Sequence, residues 1–254
     1  MDIGADGQRF VLIFSRVAAI LWFLPLFSSR AVSVPFKAGL SLLISFLFLD
    51  SVGSSLVPGN DPYQLLLLIV KEVFIGLVIS FFVRLLFAGV DVAGKIISLQ
   101  SSFAFAQFMD PLTMTQVTVI ERFKNLMAMM LFLAIDAHHV IIRAMYTSFR
   151  DVPIGAVAVQ SSLLQYLINA TGKIFGAGLR IGAPVIVTLL LVELALGMLS
   201  RMIPQVNIFI EGVPIKILLA MTMLSLSLGV VVPGIVGIFR GLDGEILKIF
   251  RLMV

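Results

Sequence analysis

Cysteine is absent from this chain, which excludes disulfides, thiolate metal centres and cysteine nucleophiles. Charge is scarce: Asp, Glu, Lys and Arg make up 13% of the 254 residues, against roughly a quarter in an ordinary globular domain. No run of Lys and Arg builds a basic face, and the net charge of +4 is spread along the chain, so nucleic acid is not an expected partner. The opening "MDIGADGQRF" begins acidic, and no small-residue cleavage site closes the run behind it. That run is expected to stay as a helix rather than act as a cleaved signal.

Hydrophobic residues fill what charge leaves. They make up 60% of the chain, and the mean hydropathy is +1.12. A soluble fold of this size would have too little polar surface to cover itself. The composition therefore predicts an all-α membrane protein. Six stretches approach the roughly 20 apolar residues of a spanning helix, near 10–27, 31–49, 65–89, 123–147, 174–199 and 213–239. Turn-forming residues separate them in 50–63 and 148–162, and a polar loop is expected over 98–122. "SSLLQYLINAT", 161–171, has the spacing of a short amphipathic helix.

Three features are unusual for a plain six-span protein. Pro25, Pro35, Pro184, Pro204, Pro214 and Pro233 lie in or beside apolar runs, where each removes a backbone donor and tends to kink or end a helix. Such breaks survive at membrane depth only where protein or a water-filled cavity covers the freed groups. Charges also lie inside the runs: Arg16, Lys71, Glu72, Arg84, Arg180 and Glu193, with Arg201 at the end of one. Each costs about 2.5–3.5 kcal/mol against lipid, so each is expected to face a partner or a cavity. Lys71 and Glu72 are adjacent, about 100° apart on a helix, and are expected to pair elsewhere. Finally, six spans would divide the loop Lys and Arg residues evenly, seven to a side, so the positive-inside rule gives no orientation.

Candidate chemistry is thin. Asp136, His138 and His139 stand in "LAIDAHHVIIR". Helical zinc chelation favours histidines four apart, and adjacent histidines are expected to point in different directions, so a helix-end or subunit hydrogen bond is preferred to a metal. There is no G-x-S-x-G elbow and no phosphate loop, and nothing local supports Asp91 and Asp136 as a proteolytic pair. No catalytic, cofactor or metal residue is assigned. Buried charge and broken helices also suit a small secondary transporter of the inner membrane. The motifs around Pro35–Lys37 and Pro214–Lys216 form a short internal match of the kind a repeat would leave. One segment fits neither water nor lipid. "SSFAFAQFMDPLTMTQV", 101–117, mixes Phe and Met with Gln, Ser and Thr, and its Phe103, Phe105 and Phe108 follow no single period. Asp110-Pro111 favours an extended or turn conformation there. An irregular apolar loop with flexible methionines is suited to sealing a narrow pore reversibly.

In the pieces "SRVAAILWFLPLFSSRAVSVPFKAGLSL" (15–42), "LQSSFAFAQFMDP" (99–111), "DAHHVIIRAMYTSFRDVPIG" (136–155) and "LALGMLSRMIPQVNIFIEGVPIKI" (194–217), taken in that order, the chain resembles the FliR/SpaR/YscT family of type III secretion export-gate proteins. The family often has Asn-Gly where this chain has Asp136-Ala137. The resemblance implies a non-enzymatic subunit of hydrophobic helical hairpins with kinked and broken helices, assembling with several FliP-type and FliQ-type subunits into a helical channel. Residues 1–173 would be P-like and 174–254 a Q-like hairpin. Much of that assembly would sit above the bilayer plane, at the bacterial inner membrane in the flagellar basal body, beside FlhB-type and FlhA-type components. Its cargo would be unfolded polypeptides, and membrane lipid would surround part of it. The loop matching 101–117 would plug the closed channel with Phe105 and Phe108, helped by Phe103, Met109 and Met114. The charges within the runs would become inter-subunit contacts.

Overall fold

A computed structural model describes residues 3–28, 32–50, 52, 62–102, 119–158, 160–203, 205 and 207–254, and among these every regular element is a helix. They are α1 (Ile3–Phe23), α2 (Pro25–Ser28), α3 (Val34–Leu49), α4 (Pro62–Gln100), α5 (Val119–Ala134), α6 (Ala137–Asp151), α7 (Ser161–Met202), α8 (Ile208–Arg240) and α9 (Leu242–Arg251). The all-α expectation therefore holds, while the span count changes. Among the described residues three runs are long and apolar enough to cross a membrane: Pro62–Gln100, Ser161–Met202 and Ile210–Arg251, the last combining α8 with α9. The pair α5 and α6, bent by 66°, makes a fourth if it is one span. Stretch 10–27 drops out because α1 carries Asp6, Arg9 and Arg16, and 31–49 because α3 has only 16 residues. Stretch 161–171 is not a separate short helix but the start of the 42-residue α7. At 1.5 Å per residue, α4 and α7 are each about 60 Å long, twice the hydrocarbon thickness.

Pro25 stands at the break between α1 and α2, as expected of a proline, and Pro204 lies outside the described residues. Pro35 sits in the first turn of α3, where its missing N–H costs nothing, but Pro184, Pro214 and Pro233 lie inside continuous helices. The sharp break falls instead between α5 and α6, where no proline stands. Asp136 adopts a left-handed backbone there (φ 57°, ψ 25°), a conformation Asp tolerates better than most residues. Pro35 and Pro214 thus occupy different helical settings.

The chain divides into two compact units, each assembled from several segments. The first comprises 1–85, 136–171 and 240–254. In it α1 packs on α3, and α9 packs on α6. Ala158 N–H donates to the Met253 carbonyl at 2.8 Å, and Tyr166 hydrogen-bonds Glu245, which ties the C-terminus to the start of α7. Phe48 meets Tyr146 and Phe149 edge-on.

The second unit comprises 86–135 and 172–239. Phe87, Phe132 and Phe239 form a mutual aromatic cluster with centroids 5.0–5.4 Å apart. Here α4 and α7 cross at backbone contact. A Cβ on Gly178 would lie 1.9 Å from the Gly89 carbonyl oxygen, and one on Gly182 would lie 3.0 Å from Ala93 Cβ. Small residues four apart on both helices permit that approach, as in membrane helix pairs. Helices α7 and α8 run as an antiparallel hairpin: Leu196 lies against Gly212, Glu193 against Lys216 and Ile181 against Gly234.

Candidate functional site

The segment singled out in the sequence, with Phe103, Phe105, Phe108, Met109 and Met114, lies outside the described residues apart from its first two positions. Its two stems are described. The polar stretch expected to be loop from 98 is helical through Gln100, and α5 begins at Val119, so the helices reach further toward the segment than expected. Ser102 leaves α4 in a left-handed conformation (φ 63°), which stops the helix abruptly. Ile97 on one stem and Ile120 on the other enter a single buried cluster with Val185, Ile186, Leu189 and Ala220 from α7 and α8. Both ends of the segment are therefore anchored on the same apolar core. Around these stems lie buried polar groups that the sequence reading missed. Lys124 is 1% exposed and packs over Gly94, while Ser98 Oγ and Gln100 Oε1 find no hydrogen-bond partner among the described residues. Lys124 sits in α5 near its amphipathic start and was counted with the loop charges, which hid its burial.

The charges within the apolar runs separate into two groups. Arg16 and Glu72 are fully buried and joined by an Nε–Oε2 contact of 2.6 Å. Arg16 also donates to the carbonyls of Ser148 (2.8 Å) and Val152 (3.1 Å), and its guanidinium stacks 4.2 Å over Phe149. The other Glu72 oxygen accepts from the Gly155 N–H at 3.0 Å, and Lys71 donates to the Gly155 carbonyl at the same distance. Lys71 and Glu72 do pair elsewhere, as expected, and both end on one residue. Gly155 turns with φ 79°, where a Cβ would be strained and would also strike Leu68 Cδ2 at 2.6 Å. A turn at "DVPIG" was legible. Its role as donor to Glu72 and acceptor from Lys71 was not, because the pairing spans more than 80 residues.

Arg84, Arg180, Glu193 and Arg201 are exposed in the chain by itself. Among the described residues Glu193 pairs with Lys216 at 3.3 Å, and that lysine is the buried member. On α7, Arg180, Glu193 and Arg201 share the helix with exposed Leu179, Leu190, Leu191, Leu194, Met198 and Met202.

The histidine pair also differs from expectation. The rings of His138 and His139 lie side by side with centroids 4.1 Å apart, rather than pointing in different directions. The left-handed Asp136 brings the first turn of α6 close, so that His139 Nδ1 is 3.3 Å from Asp136 Oδ1.

Comparison with known proteins fits this arrangement of apolar helices. The family model for bacterial export proteins, family 1, matches residues 8–242. A flagellar biosynthetic protein FliR of Pectobacterium carotovorum is 36% identical over 226 residues, 89% of this chain and 86% of that protein. The FliR of Escherichia coli K12 is 33% identical over 218 residues, covering 86% and 83%. The FliR of Bacillus subtilis is 28% identical over 225 residues, covering 87% and 86%. The chain belongs to the bacterial export proteins, family 1. Within that class it falls with the FliR proteins, membrane-embedded components of the flagellar export apparatus.

Proposed function

We propose that this chain is a subunit of the export gate through which unfolded flagellar proteins leave the bacterial cytoplasm at the inner membrane. It joins FliP-type and FliQ-type subunits, with FlhB-type and FlhA-type components nearby, and contributes no catalysis. The observation that carries this reading is the surface of α7 and α8. Arg180 and Arg201 stand exposed among large apolar side chains, a combination that lipid would penalise and that neighbouring protein subunits can satisfy. Helices about twice as long as a bilayer requires also favour a structure that continues beyond the hydrocarbon layer. On this reading residues 1–173 take the part of a P-type subunit and 174–254 that of a Q-type hairpin.

The segment 101–117 then acts as the plug. Phe105 and Phe108, with Phe103, Met109 and Met114, exclude water and ions while yielding to a passing polypeptide, since a hydrophobic constriction can gate by dewetting. Its anchorage on one buried cluster supports the role: the stems are held while the intervening residues differ from them in character.

Co-expression with P- and Q-type subunits followed by native mass measurement tests the assembly. The expected result is a hetero-oligomer containing this chain and poor recovery of the chain alone. A stable monomer or symmetric dimer that binds a small solute would instead establish the transporter reading.

A further inference from the structure

We propose that Asp136, His138 and His139 form an accessible site for a divalent transition-metal ion, with Zn²⁺ as its representative. One donor atom from each residue lies within 4.8 Å of the other two, all three from a single unit of the fold. Donors around a tetrahedral zinc stand about 3.3 Å apart, so that spacing is up to about 1.5 Å too wide, a gap that side-chain rotation closes. The carboxylate already contacts His139 Nδ1 at 3.3 Å, and its side chain and that of His139 are open to solvent. The second observation is independent of that proximity. His138 Nδ1 is enclosed and finds no hydrogen-bond partner among the described residues. An enclosed polar atom without a partner lowers stability, and coordination through this nitrogen would satisfy it.

The donor set decides the class of ion. Two imidazoles and one carboxylate suit zinc and its neighbours, whereas magnesium and calcium demand oxygen ligands. Three protein ligands leave a coordination position for water or for a donor from another chain. The left-handed Asp136 makes the arrangement possible. It folds the residue preceding α6 back over the helix's first turn, so neighbours in sequence become neighbours in chelating geometry.

The test uses the full chain, purified with its partner subunits and without a polyhistidine tag. Zn²⁺ alone is titrated in competition with a chromophoric chelator, and Co²⁺ absorption reports the coordination. One Zn²⁺ per copy of this chain is expected, with affinity falling at least about tenfold in Asp136→Asn and in His139→Ala. Asn tolerates the left-handed backbone, so Asp136→Asn removes the carboxylate charge without removing the turn. Added Zn²⁺ should raise the unfolding temperature of the parent complex and not that of Asp136→Asn. Unchanged stoichiometry and affinity in His138→Ala/His139→Ala, or no saturable uptake up to millimolar Zn²⁺, would overturn the proposal.

Discussion

The corner built by α1, α4 and α6 and the hairpin of α7 and α8 handle charge in opposite ways. In the corner, Arg16 and Glu72 are wholly buried, and each finds further backbone partners within the chain. Along the hairpin, Arg180 and Arg201 are exposed, and the one described ion pair joins a buried Lys216 to a Glu193 whose side chain is 46% exposed. The corner is complete within one polypeptide. The hairpin presents charge and large apolar side chains together, the surface that the proposed function gives to neighbouring subunits. The difference teaches that a charged residue in an apolar run has two distinct meanings, and that sequence position alone does not separate them.

This contrast can be broken by substitution. Arg16→Met removes one member of a buried pair and leaves Glu72 uncompensated. It should destabilise the chain by about 3–5 kcal/mol, seen as lost recovery or a lowered unfolding midpoint. Replacing Glu72 by Met as well should restore part of that loss, since a packed apolar pair often matches a buried ion pair. If Arg16→Met unfolds no earlier than the parent, the corner is not the self-sufficient element described. Gly178→Ala comes next. Its Cβ meets a backbone carbonyl that cannot rotate away, so the helices must separate, with an expected cost of about 1–3 kcal/mol by thermal unfolding. Arg180→Ala should have the smallest effect on the chain, within about 0.5 kcal/mol, while reducing co-purification of the partner subunits. Equal damage to stability and assembly by Arg180→Ala would erase the distinction between the two regions.

Much of the fold was legible because it follows from composition and local chemistry. The scarcity of charge announced membrane helices, and the adjacency of Lys71 and Glu72 announced separate partners. What escaped depends on distant chain segments. Gly155 serves both Lys71 and Glu72 from more than 80 residues further along the chain, and nothing within a local window marks that pairing. Proline was a poor guide to the sharpest bend, because the left-handed backbone at Asp136 makes the turn without one. The same turn brought His138 and His139 together, against the expectation drawn from ideal helical directions. Burial of Lys124 and Lys216 was hidden for another reason. Each lies beside a helix end in sequence, where a charge is ordinarily solvated, yet each packs inward.

The plug is the claim that ties these parts to export, and its direct test is ionic conductance across the assembled complex in a planar bilayer. With Phe105 and Phe108 both replaced by Gly, the intact complex should pass ions in the absence of substrate, whereas the parent complex stays closed. A complex of unchanged composition whose substituted form remains as tight as the parent would contradict the account.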